Sequence, residues 1–308
     1  MIKEEFKFKS TDGKNEIRAL RFVPEGKVKG ILQIAHGMVE FIDRYENFAQ
    51  FLTDKGYLVT GNDHLGHGGS VKTQEDWGYF GDNGNRHVLD DIYELLKITK
   101  EIYPDTPYYL LGHSMGSFYA RQFICEYGNE LDGAIIMGTG HQGKGTVSAG
   151  KMMCKLIAKF KGWRYRSSFI NNMAIGSYNK AIKDPVTDVD WLSKDVEICK
   201  KYLNEPRNTF TFTLNGYYYM FEGMERLYDA NLLNNIPKDL PLLFVSGKDD
   251  PVGNFGEGVK QAAKTVMDAG VKHVDLKLYE GDRHEILNEL DKETVYEDLY
   301  RWLETKQI

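Results

Sequence analysis

No apolar run in the 308-residue chain approaches the ~18 residues of a membrane span. The first residues, Met1-Ile-Lys-Glu-Glu-Phe-Lys, hold no apolar core of the kind a secretory leader needs. Cysteine is scarce. Cys125, Cys154 and Cys199 are an odd count, widely separated and without a CxxC, which argues against a disulfide framework and for free thiols in a reducing compartment. The expectation is a soluble, cytoplasmic protein. Positive charge is not in excess: the net charge is −6, which argues against nucleic acid as a partner. Gly66, Gly68 and Gly69 are followed by no lysine, and no G-x-G-x-x-G opens a helix, so neither phosphate cradle is present. No internal repeat or low-complexity linker breaks the chain.

What is present suffices for a large core: 42% hydrophobic residues, with 16 Phe, 19 Tyr and 4 Trp. Phe6 and Phe8 share one face of a first strand, and Glu16 to Val23 and Gly30 to His36 read as two more, giving antiparallel strands at a sheet edge. Strands and helices then alternate. A helix is expected over Phe41 to Lys55, a strand over Tyr57 to Asn62 and a long helix over Asn85 to Tyr103. Tyr108 to Leu111 and Gly133 to Met137 are short apolar strands. The alternation lapses between Gly140 and Ile236, where helices are expected over Val147 to Phe160, Asp188 to Lys201 and Thr209 to Tyr228. It resumes with strands at Leu240 to Ser246 and His273 to Tyr279, each followed by a helix. This pattern calls for a mostly parallel α/β sheet with helices on both faces. Residues 1–139 and 237–308 form the expected core domain, and 140–236 an inserted helical cap.

The chain is organised around Gly112-His113-Ser114-Met115-Gly116, set between a strand and a helix. A strand, sharp turn and helix lift the Ser114 hydroxyl above the sheet as a nucleophile elbow. Bulky side chains two positions to either side would collide with such a turn, so Gly112 and Gly116 flank it. Met115 opens the helix, where its free N–H can face a developing oxyanion. Downstream, Lys248-Asp249-Asp250-Pro251 ends a strand. Neighbouring extended residues point to opposite faces, so only one of the two carboxylates can orient an imidazole. Pro251 favours Asp250 by holding it extended. His284 lies in a loop after the last strand, and the order Ser114, Asp250, His284 is the Ser…Asp…His order of such enzymes.

With these residues assembled, the sequence resembles the α/β-hydrolase superfamily, and within it the branch of monoacylglycerol lipases and lysophospholipase-like serine hydrolases. The resemblance rests on His36-Gly37-Met38-Val39-Glu40 with Arg44-Tyr45, on Asp63-His64-Leu65-Gly66-His67-Gly68-Gly69-Ser70 and on the Ser114 elbow. Gly247-x-x-Asp250 and Arg283-His284-Glu285-Ile286-Leu287-Asn288-Glu289 complete it. It implies an α/β-hydrolase fold with a central sheet of about eight strands and a Ser114–His284–Asp250 triad. It also implies an oxyanion hole from the backbone N–H groups of Met38 and Met115. The implied reaction is acyl-enzyme hydrolysis of a small-molecule ester, best a single-chain lipid such as a monoacylglycerol or lysophospholipid. Rival readings are a short-chain or aromatic carboxylesterase, an acyltransferase and a proline-type peptidase. A non-catalytic binding protein of this fold would typically lack a triad member. No cofactor or metal is expected. His64 and His67, with Asp63, read as a hydrogen-bonded structural loop, and His36 and His113 as braces of the oxyanion loop and elbow.

One further pattern lies in the insertion. From Gly133 to Lys183 there is no Asp or Glu, against nine Lys and Arg. Lys151, Lys155 and Lys159 form one helical stripe, with Ala149, Met152, Met153, Leu156, Ile157 and Phe160 opposite. Either the apolar face packs on the protein with the lysines in water, or the basic face meets anionic lipid while the methionines line the acyl pocket.

Overall fold

Segments that are apolar on both faces become the middle of the sheet. A computed structural model describes residues 1–305. Its elements in chain order are β1 (Ile2–Lys9), β2 (Glu16–Val23), β3 (Gly30–Ala35), α1 (Glu46–Asp54), β4 (Tyr57–Asn62) and α2 (Gly84–Ile102). There follow β5 (Tyr108–His113), α3 (Met115–Tyr127), β6 (Gly133–Met137), α4 (Lys144–Lys161), α5 (Ser168–Ala174) and α6 (Val196–Asn204). Last come α7 (Leu214–Arg226), α8 (Ala230–Leu233), β7 (Leu242–Gly247), α9 (Glu257–Asp268), β8 (Val274–Tyr279) and α10 (Lys292–Thr305). One eight-stranded sheet runs in the order β1-β2-β4-β3-β5-β6-β7-β8. Only β1 with β2 and β2 with β4 pair antiparallel; the other pairs are parallel.

Strands β3 to β7 are buried along their whole length, as strands covered on both faces must be. Side chains alternate between two cores. Ile31, Leu110 and Ala134 pack with α2, α3 and α9, whereas Leu32, Leu111 and Ile135 pack with α1 and α10. The start of the chain departs from the expected antiparallel edge. β3 lies inside the sheet, parallel to β4 and β5, because both of its faces are apolar and need cover.

Helices α4 to α8 lie between β6 and β7 in the chain. The helix expected from Asp188 begins only at Val196, where the Asp195 side chain caps it by accepting from Glu197 N at 3.0 Å. Upstream, the Asp190 carboxylate accepts from Val186 N (2.6 Å) and Thr187 N (3.1 Å), fixing a turn instead of a helix. The faces of α4 also differ from expectation. Its buried stripe is Val147, Gly150, Cys154 and Ala158, packed on α7. Of the apolar residues read as one packing face, only Ile157 turns partly inward, and Met152, Met153, Leu156 and Phe160 face solvent. Small residues let α4 sit close on α7, and at Gly150 a Cβ would already stand 3.0 Å from the Phe221 ring.

Candidate active site

β7 and β8 are neighbours and only β6 separates β7 from β5, so the loops leaving their carboxyl ends converge. β5 ends at His113 and α3 starts at Met115, leaving Ser114 alone to make the turn at φ 53°, ψ −119°. A non-glycine residue held there costs about 1–3 kcal/mol, and the surroundings enforce it. Ser114 N donates to Met137 O at 3.0 Å, and Ser117 Oγ donates to Ser114 O at 2.5 Å. The flanking glycines are needed for close approach. A Cβ at Gly112 would run into the Gly116 carbonyl, and one at Gly116 into the carbonyl of Ala35 at the end of β3.

Asp250 follows β7 and is fully buried, while Asp249 is exposed. Asp250 Oδ2 accepts from His284 Nδ1 at 2.9 Å and from Ser246 Oγ at 3.0 Å, and Oδ1 accepts from Val252 N at 2.8 Å. With Nδ1–H held by the carboxylate, the neutral imidazole presents Nε2 as its acceptor. His284 N donates to Trp191 O (3.3 Å) and Glu285 N to Leu192 O (2.7 Å), so the 188–193 turn seats the histidine loop. Ser114 and His284 line one cavity; among the described residues Ser114 Oγ makes no hydrogen bond to the imidazole. Such contacts are often long until substrate is bound.

The loop after β3 supplies the other wall. Gly37 N donates to Glu40 Oε1 and Val39 N to His67 Nε2 (3.2 Å), while Met38 N has no partner among the described residues. Met115 N, first in α3, has no intrahelical acceptor. Met38 and Met115 both line the cavity beside Ser114. The cavity encloses about 1030 Å³, its open mouth included, and its far walls are apolar: Met173, Ile175, Tyr178, Met220, Phe221 and Met224 among them. From α4 it takes Thr146 and Val147, not Met152 or Met153.

Comparison with known proteins fits this arrangement. Residues 26–291 match the family described as serine aminopeptidase, S33. The chain belongs to that family. With it, this S33 hydrolase falls in the α/β-hydrolase superfamily, in the monoacylglycerol lipase and lysophospholipase-like branch. It is 26% identical to a monoacylglycerol lipase of Mycolicibacterium smegmatis over 92% of this chain and 90% of that one. It superposes with a TM-score of 0.92 and 32% identity on the structure of a thermostable carboxyl esterase from Bacillus coagulans in complex with glycerol, covering 100% of both chains. A soluble variant of the Saccharomyces cerevisiae monoglyceride lipase shares the fold, with a TM-score of 0.78 at 20% identity, over 99% of this chain and 95% of that one.

Beneath the site of this S33 hydrolase lies a charged network that sequence reasoning did not assign. Glu40 accepts from Gly37 N and from Tyr45 Oη (2.8 Å), and its Oε1 lies 3.1 Å from His113 Nδ1. Arg44 links Glu40 (2.9 Å) to Glu285. Burial works to raise the Glu40 carboxyl, but the hydrogen bond and charge of His113, and then Arg44, hold it well below the carboxylate range. Burial works to lower His113, yet the hydrogen bond and charge of Glu40 raise it above the usual imidazole value. The His113 ring lies 4.8 Å from that of His284, tilted by 38°. In the sequence Glu40, Arg44, Tyr45 and Glu285 stand within the stretches that carry the resemblance, without a role, and His113 is read only as a brace of the elbow.

His36, His64 and His67 are buried braces, each lowered below the usual imidazole value chiefly by burial. Burial, helped by His36, pushes His67 down to about 3, which fits its acceptance of the Val39 N–H through Nε2. His36 Nε2 accepts from His64 N at 3.0 Å. Asp63 accepts from Ile42 N (2.9 Å) and Gly69 N (2.7 Å). Among the described residues no cluster of three His, Cys, Asp or Glu is placed to hold a metal ion. No described helix is long and apolar enough to cross a membrane.

Proposed function

We propose that this carboxylic-ester hydrolase cleaves esters of single-chain lipids, monoacylglycerols or lysophospholipids, through an acyl-Ser114 intermediate. The observation that carries this is the cavity itself: its lining is mostly apolar and includes both Ser114 and a histidine hydrogen-bonded to a buried aspartate. His284 Nε2 takes the Ser114 proton as Oγ attacks the acyl carbonyl, and Asp250 stabilises the imidazolium and fixes its tautomer. The N–H groups of Met38 and Met115 receive the oxyanion, and removing one such donor costs on the order of 100- to 1000-fold in kcat. His284 then protonates the departing alcohol, and water repeats the sequence on the acyl-enzyme. Residues 140–236 act as a cap over a core made of 1–139 and 237–308. The cap offers anionic lipid a surface on which Met152, Leu156 and Phe160 sit exposed among Lys155 and Lys159.

A second reading, a short-chain or aromatic carboxylesterase, draws on the 32% likeness to the Bacillus coagulans esterase. One experiment separates them. Fluorophosphonate should label the wild type and not Ser114→Ala, and glycerol and p-nitrophenyl esters of graded chain length should give rising kcat/KM toward long acyl chains. A sharp optimum at short chains favours the second reading, and labelling that survives Ser114→Ala removes Ser114 from the mechanism.

A further inference from the structure

Among the described residues Arg121 has no counter-charge. It is 3% exposed, and the other buried arginine, Arg21, is paired with Glu4. Arg121 Nη1 donates to Gly140 O at 3.2 Å, Nε has no partner, and no carboxylate among the described residues pairs with it. An ion buried without a partner is strongly disfavoured. Burial lowers the guanidinium only to about 10, so it stays charged near neutral pH. The group faces a small pocket, with room for about one water until Met224 moves, bordered by Gly140, His141, Gln142 and Tyr228. Gln142 Oε1 is also unpartnered, so nothing fixes that amide, and a half-turn presents Nε2 as a second donor.

The pocket's position connects it to the ester site. Phe118 and Arg121 are spaced i, i+3 on α3, whose first residue follows Ser114, so Arg121 stands about 10 Å of helix rise beyond the elbow. Phe118, Gln142 and Met224 line both the large cavity and the small pocket, so three side chains form the partition. Met is the most readily repacked of residues.

We infer that the Arg121 pocket is a subsite for an anionic group, a carboxylate or phosphate, carried by the substrate about 10 Å from the scissile carbonyl. The preferred substrate class is then an ester that is apolar beside Ser114 and anionic at its far end. This rests on the esterase reading above, and the test keeps the two apart.

Hydrolysis of p-nitrophenyl decanoate is compared with that of the mono-p-nitrophenyl ester of sebacic acid, which has the same carbon count and a terminal carboxylate. The readout is the ratio of kcat/KM for the carboxylate ester to that for the neutral one. Arg121→Met should lower this ratio by about tenfold or more, chiefly through KM, and Gln142→Leu by several-fold. Should Arg121→Met fail to fold, Arg121→Lys keeps the charge, loses the fork and should lower the ratio several-fold. In parallel, methyl hydrogen sebacate is titrated calorimetrically into Ser114→Ala protein, where it should bind about tenfold more tightly than to the Arg121→Met double variant. Absent hydrolysis with this binding difference retained refutes the esterase reading alone. An unchanged ratio and unchanged binding mean a water-solvated structural arginine and overturn the subsite. Competition by acetate or inorganic phosphate without any preference for the carboxylate ester leaves a free-anion site and overturns the substrate assignment.

Discussion

Arg44 and Glu285 stand 241 residues apart in the chain and meet through two parallel bonds, Nη1 to Oε1 and Nη2 to Oε2, each 2.7 Å. The pair clamps the segment after the Met38 loop to the residue that follows His284. Its geometry is the bidentate fork that an ammonium cannot reproduce. Through Glu40 the same guanidinium reaches the N–H of Gly37, so one side chain ties the proposed oxyanion loop to the proposed base.

Arg44→Met should therefore both destabilise and misalign. Loss of one partner from a buried pair costs about 3–5 kcal/mol, and kcat should fall by roughly tenfold beyond any loss of folded protein. Chemical unfolding paired with active-site titration separates the two effects. Retention of full kcat per titrated site would show that the clamp does not position the base.

The Glu40–His113 pair predicts a pH signature. Glu40 is depressed in the folded protein, so its contribution is present above its ordinary 4.5 and fades as acid is added beyond the folded value. His113 is raised, so its contribution is full below its ordinary 6.5 and is lost as pH climbs through the folded value. Around the pair stand Tyr45, Arg44, Glu285 and the His284 ring. His113→Asn should lower Tm most between about pH 5 and 6.5 and progressively less toward pH 9. Melting curves across that range check it, and a penalty constant with pH would mean that His113 is neutral in place.

Assignment of the acid can be tested against its own neighbour. Asp250→Asn should lower kcat on the order of ten thousandfold by stabilising the wrong histidine tautomer. Asp249→Asn, at an exposed carboxylate, should cost little. Equal losses in the two variants would remove the 2.9 Å contact from its proposed role.

At the elbow the expected damage is structural. Gly116→Ala puts a methyl group into the Ala35 carbonyl and should destabilise by about 3 kcal/mol or more, with the strand and the helix end forced apart. Gly145→Ala, in the first turn of α4 with open space around the built Cβ, is the matched control and should change Tm little.

For lipid contact, Phe160 is decisive because it is 82% exposed. Co-sedimentation with vesicles of phosphatidylglycerol should exceed that with phosphatidylcholine at low salt, by about 1 kcal/mol for each lysine near the surface. Phe160→Ser and Leu156→Ser together should weaken binding to both vesicle types, while Lys155→Gln with Lys159→Gln should remove only the salt-sensitive part. Indifference of wild-type binding to lipid charge and to both pairs of changes would leave α4 merely solvated.

The strands were legible because doubly covered strands are continuous apolar runs: Tyr57–Asn62 and Gly133–Met137 match their expected limits. Order within the sheet was not, since nothing local to β3 says that β4 will slip between it and β2. Inside the insertion, periodicity misled. The apolar residues of α4 were assumed to face the protein, but the face in contact is a stripe of Gly150, Cys154 and Ala158 chosen for close approach to α7. Asp190 holds the first part of the helix expected over Asp188 to Lys201 in a turn, by binding backbone N–H groups itself. At the site, Ser114, Asp250 and His284 could be ordered by chain position. The Glu40–Arg44–Glu285 chain could not, because it joins residues from opposite ends of the sequence.

Met137 and Val245 are register partners on adjacent strands, so the polypeptide leaves the sheet after β6 and re-enters it one strand over. Everything between is an excursion whose two ends are fixed by the ladder itself: it leaves at Met137 and returns at Leu242, the partner of Ala134, one strand over and about 10 Å back along the sheet. Such a gap is closed whatever the loop contains, and lengthening the loop adds little entropic cost. Substrate preference can thus drift, by exchange of the excursion, without re-registering a single strand. The exception is α7: Tyr217, Phe221 and Met224 belong to the main core, so any viable exchange must bring an equivalent apolar helix with it.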